Sequence, residues 1–370
     1  MYLNQLQDTK YKNMNISKKK FDDINLNEFD TIIDVRSPSE FEDDHIIKSI
    51  NLPVLNNSER EIVGKIYVQD SKFKARLIGA SLITKNISTI LEKSLFTKPR
   101  NWKPLIYCWR GGKRSYSLAK ILSDIGWEPT ILEKGYKNYR KCVVETLHKK
   151  NIDFKILLIS GHTGTGKTEL LNILKQQENQ ILDLELIANH KGSLLGAEKT
   201  VQPTQKLFES AIFRNISKFD KDKPLIIEAE SNKIGNLIIP PSLWKKMKSS
   251  LRIEIKSNVE DRVQYLEKKY LDLTEDINVL VEKLSSFSTL QGKRRVSEWI
   301  RMAKEKKFKD LAKDLIINHY DPRYQNSLDK NSSLFINRFE VNPLKKKNLE
   351  KVSKEISSII FKINSNHQHR

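Results

Sequence analysis

The chain has 370 residues, 66 Lys+Arg against 46 Asp+Glu, 38% hydrophobic residues and two cysteines. That length and apolar content fit two or three folded domains and exclude a fully disordered chain and a disulfide scaffold. The longest apolar runs, such as Ile156–Ile159 and Leu225–Ile227, fall far short of the ~20 residues of a spanning helix, which excludes a helical membrane protein. The formal net charge of +20 points to a polyanionic partner, nucleic acid first, although lysines scattered over every surface would give the same sum. The N-terminus, MYLNQLQDTKYKNMNISKKK, has no apolar segment of the secretory kind, so the expected address is the cytoplasm.

Residues 1–20 are polar and are expected to fray. From Phe29 onward, short apolar runs alternate with helical patterns, which indicates α/β layering. Strands are expected at Thr31–Val35, Ile50–Pro53, Leu105–Cys108 and Pro129–Leu132, and helices at Ala75–Glu92, Ser115–Ile125 and Tyr136–His148, with Gly126 closing the second helix. A second α/β unit opens at Phe154–Ser160 and runs through a glycine loop into a helix over Lys167–Gln177. Further strands are expected at Gln180–Leu184, Pro224–Glu228 and Leu251–Ile255. From Val259 the pattern is helical and highly charged. The expected domains are therefore 21–150, 151–258 and a basic helical region over 259–370, abutting without a Pro/Gly/Ser linker.

The first chemistry lies in Tyr107-Cys108-Trp109-Arg110-Gly111-Gly112-Lys113-Arg114-Ser115. A cysteine at the end of a buried strand is followed by glycines and a helix start. Backbone N–H groups and the helix dipole converge on the sulfur, and Arg110, Lys113 and Arg114 add full positive charges. Such a cradle suits an anionic sulfur, a tetrahedral oxyanion or a persulfide. Cys142 sits in a helix without such a loop and reads as packing.

Together with Asp34-Val35-Arg36, Glu40-Phe41, His45-Ile46 and Ile50-Asn51-Leu52-Pro53, this loop resembles a rhodanese domain, in which the loop cysteine carries sulfur. Ordinary sulfurtransferases have four residues between the cysteine and the arginine, whereas five separate Cys108 from Arg114 here. The related phosphatases use a longer loop for phosphate, but Tyr107 stands where they carry histidine. The resemblance implies a catalytic set of Cys108, Arg110, Arg114 and Asp34, in a cradle wide enough for more than a sulfur atom.

Gly161-His162-Thr163-Gly164-Thr165-Gly166-Lys167-Thr168 fits the phosphate-loop pattern without a mismatch, after an apolar strand and before a helix. Gly161, Gly164, Thr165 and Gly166 supply the wrap for a di- or triphosphate, Lys167 pairs with its oxygens, and Thr168 would hold Mg²⁺ where that ion binds. The pattern does not say which molecule bears the phosphates, and it leaves open a requirement for ATP. Glu228, after the apolar strand Leu225–Ile227 and near Glu230, and Asp183 with Glu185, after another strand, are the acids expected to complete the site.

Longer segments resemble one family, the bacterial tRNA 2-selenouridine synthases: NLPVLNNSER from Asn51, CWRGGKRS from Cys108, Gly161–Leu171, Asp183–Gly192 (DLELIANHKG), Gln202–Glu209 (QPTQKLFE) and Glu228–Gly235 (EAESNKIG). They span the chain from about residue 29 to about residue 325. Ala229 replaces an acid found between the two glutamates in many members. The resemblance implies an α/β protein with an N-terminal rhodanese-like domain, then a P-loop NTPase-like parallel-sheet domain and the basic helical region. It further implies tRNA with 2-thiouridine at the wobble position as substrate, and geranyl diphosphate and selenophosphate as co-substrates. The sulfur would first be geranylated and the S-geranyl group then replaced by selenium, with Cys108 as chalcogen carrier, Arg110 and Arg114 on its oxyanion, and the P-loop on the diphosphate. The alternative reading is a P-loop kinase or sulfurtransferase acting on a small molecule.

Gln291–Tyr320 holds nine Lys/Arg against four Asp/Glu, with Trp299, Phe308, Leu311 and Leu315 at helical spacing. The expectation is a pair of amphipathic basic helices on tRNA phosphates, or a lid in which Arg294 and Arg295 close over the P-loop.

Overall fold

The computed structural model describes residues 16–191, 200–229, 231–328 and 334–365. The chain divides into two compact units between Glu145 and Thr146. Each is built on a five-stranded parallel sheet. Parallel sheets carry helices on their faces, which is why the central strands read as unbroken apolar runs and not as alternating ones.

In the first unit β1 (Ser17–Lys19), β2 (Thr31–Asp34), β3 (Ser49–Asn51), β4 (Pro104–Tyr107) and β5 (Thr130–Leu132) lie in the order β1-β5-β4-β2-β3. The helices are α1 (Pro38–Asp43), α2 (Asn57–Gln69), α3 (Lys72–Ile90), α4 (Lys113–Ile125) and α5 (Gly135–Val144). Ser37 and Glu40 form a capping box on α1, and Asn56 and Glu59 form one on α2, so both helix starts are encoded locally. Gly126 ends α4 with φ 111°, as expected of a C′ glycine. Residues 1–15 lie outside the described residues. Order begins before residue 21, because Ser17–Lys19 pairs in parallel with Thr130–Leu132. A polar Ser-Lys-Lys edge strand has no apolar alternation, so only its ladder reveals it. Cys142 packs on α5, where burial, together with a hydrogen bond to Asp22, pushes its thiol up to about 12.

In the second unit β6 (Ile156–Gly161), β7 (Gln180–Leu182), β8 (Leu225–Glu228), β11 (Leu251–Lys256) and β12 (Phe335–Glu340) lie in the order β12-β11-β6-β8-β7, with a small hairpin of β9 (Lys233–Ile234) and β10 (Leu237–Ile238). The helices are α6 (Lys167–Gln176), α7 (Leu184–Ala188), α8 (Gln205–Ile216), α9 (Pro241–Lys248), α10 (Val259–Lys269), α11 (Leu271–Glu275), α12 (Ile277–Ser285), α13 (Ser288–Gln291), α14 (Lys293–Lys304), α15 (Phe308–Leu315), α16 (Asp321–Leu328) and α17 (Lys346–Ser365). The region after Val259 is not all helix: FINRFE returns to the sheet as β12, held beside β11 by backbone pairing and by Arg338 Nε on the buried Glu254 at 2.9 Å. As an edge strand it is partly to fully exposed, and Asn337, Arg338 and Glu340 interrupt its apolar residues, so its apolar signal is weak. α17 then packs Leu349, Val352, Ile356 and Ile360 into the same core as Leu157, Ile159 and Leu170 of the phosphate-loop strand and helix. The C-terminal segment thus belongs structurally to the P-loop unit.

Candidate functional site

Two loops carry the chemistry, each at the C-terminal end of a buried central strand, where open α/β sheets place their ligands. The first follows β4. Cys108 is 3% exposed, its Sγ accepts the Gly112 N–H at 3.3 Å, and it lies 3.3 Å from Ser115 Oγ. Gly112 caps α4, so the open end of that helix faces the sulfur. The turn before α5 presses against the same loop through Tyr136 N–H to Cys108 O at 2.9 Å and Lys137 N–H to Trp109 O at 3.0 Å. Gly135 makes that approach feasible: its φ is +53°, and a Cβ there would collide with the Cys108 carbonyl oxygen.

The loop opens on a cavity of about 930 Å³. Arg110, Lys113 and Arg114 line it as expected, together with Arg60, Arg76 and Glu40, which sequence reasoning did not place there. Arg114 donates to Glu40 at 2.7 and 3.4 Å, and Arg60 stands 3.9 Å from the same carboxylate. Burial alone would raise the Glu40 carboxyl; the Arg114 hydrogen bond and charge, Ser37 and Arg60 outweigh it and hold Glu40 below its ordinary value. Arg76, Arg110 and Lys113 have no carboxylate partner among the described residues.

Asp34 has a different place. It is fully buried and accepts Arg36 Nε at 2.9 and 3.0 Å and Nη2 at 2.6 Å, while Arg36 also donates to Asp44 O and lies 4.0 Å from the Tyr136 ring centroid. It does not line the cavity. The pair braces the sheet end next to the Tyr136 turn, and breaking such a buried pair costs about 3–5 kcal/mol.

The second loop follows β6. Gly166 caps α6 with φ +78°, and a Cβ there would lie 2.8 Å from Pro343 Cβ, so the segment after β12 closes on the loop. Lys167 Nζ donates to Gly161 O at 2.9 Å and His162 O at 3.3 Å, and stands 3.4 Å from Glu228. Thr165 donates to His162 O at 2.9 Å. Arg262, from α10, donates to Thr163 O at 2.8 Å and is itself held by Asp321 at 2.6 and 2.9 Å. Burial, with the Arg262 and Lys167 charges against an opposing Asp321, pushes His162 down to about 4.

The acids divide their tasks. Asp183 caps α7, accepting Leu186 N–H at 2.9 Å. Glu185 faces the site: burial and the neighbouring Glu228 push it up to about 8, with Lys167 and Lys269 opposing. Burial also raises Glu228 above its ordinary value, Lys167 and Lys269 opposing and Asp183 assisting. Glu230 lies outside the described residues. Lys269, like Arg262, was missed by sequence reasoning, since nothing in a highly charged helix marks one cation. Its Nζ donates to Thr168 Oγ1 at 3.2 Å and lies 4.0 Å from Glu169, whose carboxylate also accepts the Tyr265 hydroxyl. Thr168 is the hydroxyl a P-loop offers to Mg²⁺. Here it accepts a hydrogen bond from Lys269, so a cationic ammonium stands beside the hydroxyl and the arrangement does not fit that ion.

The other resembling segments build scaffold. Gln202 donates to Ala188 O at 3.0 Å and Ile234 O at 3.2 Å and accepts Asn236 N–H at 2.8 Å, and Gln205 exchanges hydrogen bonds with both backbone groups of Ile238. QPTQK thereby ties the ANHKG segment to the β9–β10 hairpin. Gly192 lies outside the described residues.

In the basic region, α14 and α15 bury Val296, Trp299, Ala303, Leu311 and Leu315, and Trp299 donates to Asp314 at 2.6 Å. The cations face outward. Arg294 is 97% exposed and pairs with Glu298, so the residues that meet the phosphate loop are Arg262 and Lys269 and not the expected Arg294 and Arg295.

A cysteine cradle on one parallel α/β unit and a phosphate loop on the next define a rhodanese-like domain fused to a P-loop domain of AAA type. The comparisons agree. A rhodanese-like domain matches residues 17–142, and the tRNA 2-selenouridine synthase AAA domain matches residues 154–293. Proteins named tRNA 2-selenouridine synthase are similar along much of the chain. That of Nitrosomonas eutropha is 33% identical over 66% of this chain and 63% of its own length, and that of Psychromonas ingrahamii 33% over 67% of each. That of Sulfurovum sp. is 29% identical over 83% of this chain and 91% of its own length. Among solved structures, the N-terminal domain of a putative ATP/GTP binding protein from Clostridium difficile 630 is 37% identical over 31% of this chain and 89% of that one, with a TM-score of 0.29. The chain belongs to the tRNA 2-selenouridine synthase family. The match spans 63% of the length of the Nitrosomonas eutropha relative.

Proposed function

We propose that this chain modifies the wobble 2-thiouridine of tRNA in two steps, one at each loop. At the P-loop, the thiocarbonyl sulfur attacks C1 of geranyl diphosphate. A C–S bond forms, the C–O bond breaks, pyrophosphate leaves and the base loses its N3 proton. Pyrophosphate release is favoured by Lys167, Lys269 and the loop N–H groups, all aimed where its charge develops. At the cysteine loop, the selenium of selenophosphate attacks C2, geranyl thiolate leaves and takes up a proton, and water releases phosphate from selenium. Cys108 handles the incoming selenium, and Arg110 and Arg114 hold the phosphate oxygens. The exposed cations of α14 and α15 bind tRNA phosphates.

The observation that carries this reading is the presence, in one family member, of two anion cradles of different kinds. One is an open cysteine cavity, and the other a phosphate loop whose Thr168 hydroxyl meets Lys269 in place of a metal. Diphosphate alkylation needs cations on a leaving group, not nucleotide hydrolysis, and two lysines meet that need.

The test is nucleoside mass spectrometry after incubation of the purified protein with tRNA carrying wobble 2-thiouridine and geranyl diphosphate, with and without selenophosphate. The expected result is a geranyl adduct alone, converted to 2-selenouridine when selenophosphate is added. An unchanged base in both reactions, with ATP turnover in the absence of tRNA, would overturn the reading in favour of a small-molecule kinase or sulfurtransferase.

A further inference from the structure

The cavity at Cys108 is far larger than a selenium or phosphate donor needs. A phosphate-sized ligand replaces only a few waters of about 30 Å³ each, against a volume of about 930 Å³. The surplus space is bounded by apolar side chains. Val63 and Tyr67 on α2 and Ala75, Gly79, Ala80 and Ile83 on α3 make one wall. Ala75, Gly79 and Ala80 keep the α3 face low. Cations share the lining: Arg60 and Arg76 stand on the same two helices, Arg110, Lys113 and Arg114 come from the cysteine loop and the start of α4, and Arg76, Arg110 and Lys113 have no carboxylate partner among the described residues. Outside the cavity the same helix pair also exposes Val68 at 83%, Phe73 at 74% and Leu77 at 64%.

Apolar side chains and cations that line one wide cavity beside a sulfur nucleophile fit one ligand class, an amphiphile with a hydrocarbon chain and nearby phosphates. We infer that the α2–α3 wall is a prenyl-chain site: it takes the S-geranyl group of the modified base while Arg76, Arg110 and Lys113 take the adjacent RNA phosphates. The geranyl thioether is then held beside Cys108, where the incoming selenium displaces it as geranyl thiolate. The identity of the chain rests on the two-step reading above; the apolar wall does not. This assigns the chain-binding role to the helix pair between β3 and β4 and explains why the cradle is both wide and greasy.

The experiment uses the full chain and two anticodon stem-loop RNAs, one with S-geranyl-2-thiouridine and one with S-methyl-2-thiouridine. Fluorescence anisotropy measures binding, and single-turnover mass spectrometry measures selenation. The wild-type chain should bind the geranyl RNA at least tenfold more tightly than the methyl RNA. Ala80→Trp fills the cavity from an exposed position and should bring that ratio close to one, whereas Ala80→Ser should retain it; thermal melts check that both variants are folded. Equal wild-type affinity for the two RNAs, or an undiminished ratio in Ala80→Trp, would overturn the site. Geranyl diphosphate serves as a competitor. If it displaced the geranyl RNA in wild type but not in Ala80→Trp, the wall would hold the free donor, and the RNA-borne assignment would fall. A preserved geranyl ratio with no selenation by the wild-type chain would leave this site standing and sink the two-step reading. Wild-type selenation of the geranyl RNA by Ala80→Trp would do the reverse.

Discussion

The two loops are variations on one construction with opposite finishes. Each leaves a buried parallel strand, turns on glycines and caps a helix, so each offers a fan of N–H groups to an anion. The P-loop is braced from within its own unit. Lys167 is held by two loop carbonyls, Arg262 grips Thr163 O, Pro343 abuts Gly166, and Lys269 meets Thr168. The cysteine loop is braced by the Gly135 turn, next to the Asp34–Arg36 pair, and by Arg114 on Glu40, and it opens on a wide cavity in which Arg76, Arg110 and Lys113 have no carboxylate partner among the described residues. Local sequence writes the cradle, and the surrounding elements decide whether it is closed in tightly or opens on a wide cavity.

The largest expected effect separates the loops outright. Cys108→Ser should lower selenation of geranylated RNA by about 100-fold or more while geranylation continues, and Lys167→Ala should do the converse, since removing one preorganised charge costs about 10²–10³ in rate. Single-turnover nucleoside mass spectrometry reads both. Loss of both steps in either variant would merge the two sites into one. A smaller effect tests the lysine at Thr168. Lys269→Ala should weaken pyrophosphate binding about tenfold by calorimetry, the worth of one charge-assisted hydrogen bond, whereas EDTA should change wild-type binding less than about twofold. Binding that collapses in EDTA would return Thr168 to a metal.

The smallest effect is a pH dependence at the P-loop. Glu185 is pushed up to about 8, so it is neutral below that value and adds a negative charge to the site above it. Pyrophosphate affinity should fall severalfold as pH rises through about 8, and Glu185→Gln should flatten the curve. Stability follows the same sign. From the ordinary carboxylate range up to about 8 the folded chain holds a proton that the unfolded chain has lost, so stability declines as pH rises across that window. A wild-type profile identical to that of Glu185→Gln would remove Glu185 from the site.

Much of this molecule was legible in one dimension because its signals are local. Buried parallel strands announce themselves as apolar runs, and Gly-rich loops before helices announce anion cradles. Helix starts shifted by two residues at Lys113 and by three at Lys72, where caps decided them. The acids were harder. Asp183 and Glu185 are two positions apart in the chain, and only the start of α7 shows that the first is spent on a cap while the second faces Glu228.

The sequence by itself determined the two α/β units, Cys108 and its cations, the complete phosphate loop and the outward charge of α14 and α15, because strand burial, glycine loops and helical amphipathicity act over a few residues. Tertiary structure alone decided that Asp34 braces Arg36, that β12 and α17 return to the P-loop sheet, that Lys269 reaches Thr168, and that α2 and α3 lend Cys108 an apolar wall. Those relations join residues up to about 180 positions apart, as Gln177 and Ser357 are. At such separations no period or motif records a contact; it exists only once the chain has closed its sheets and paired its buried charges.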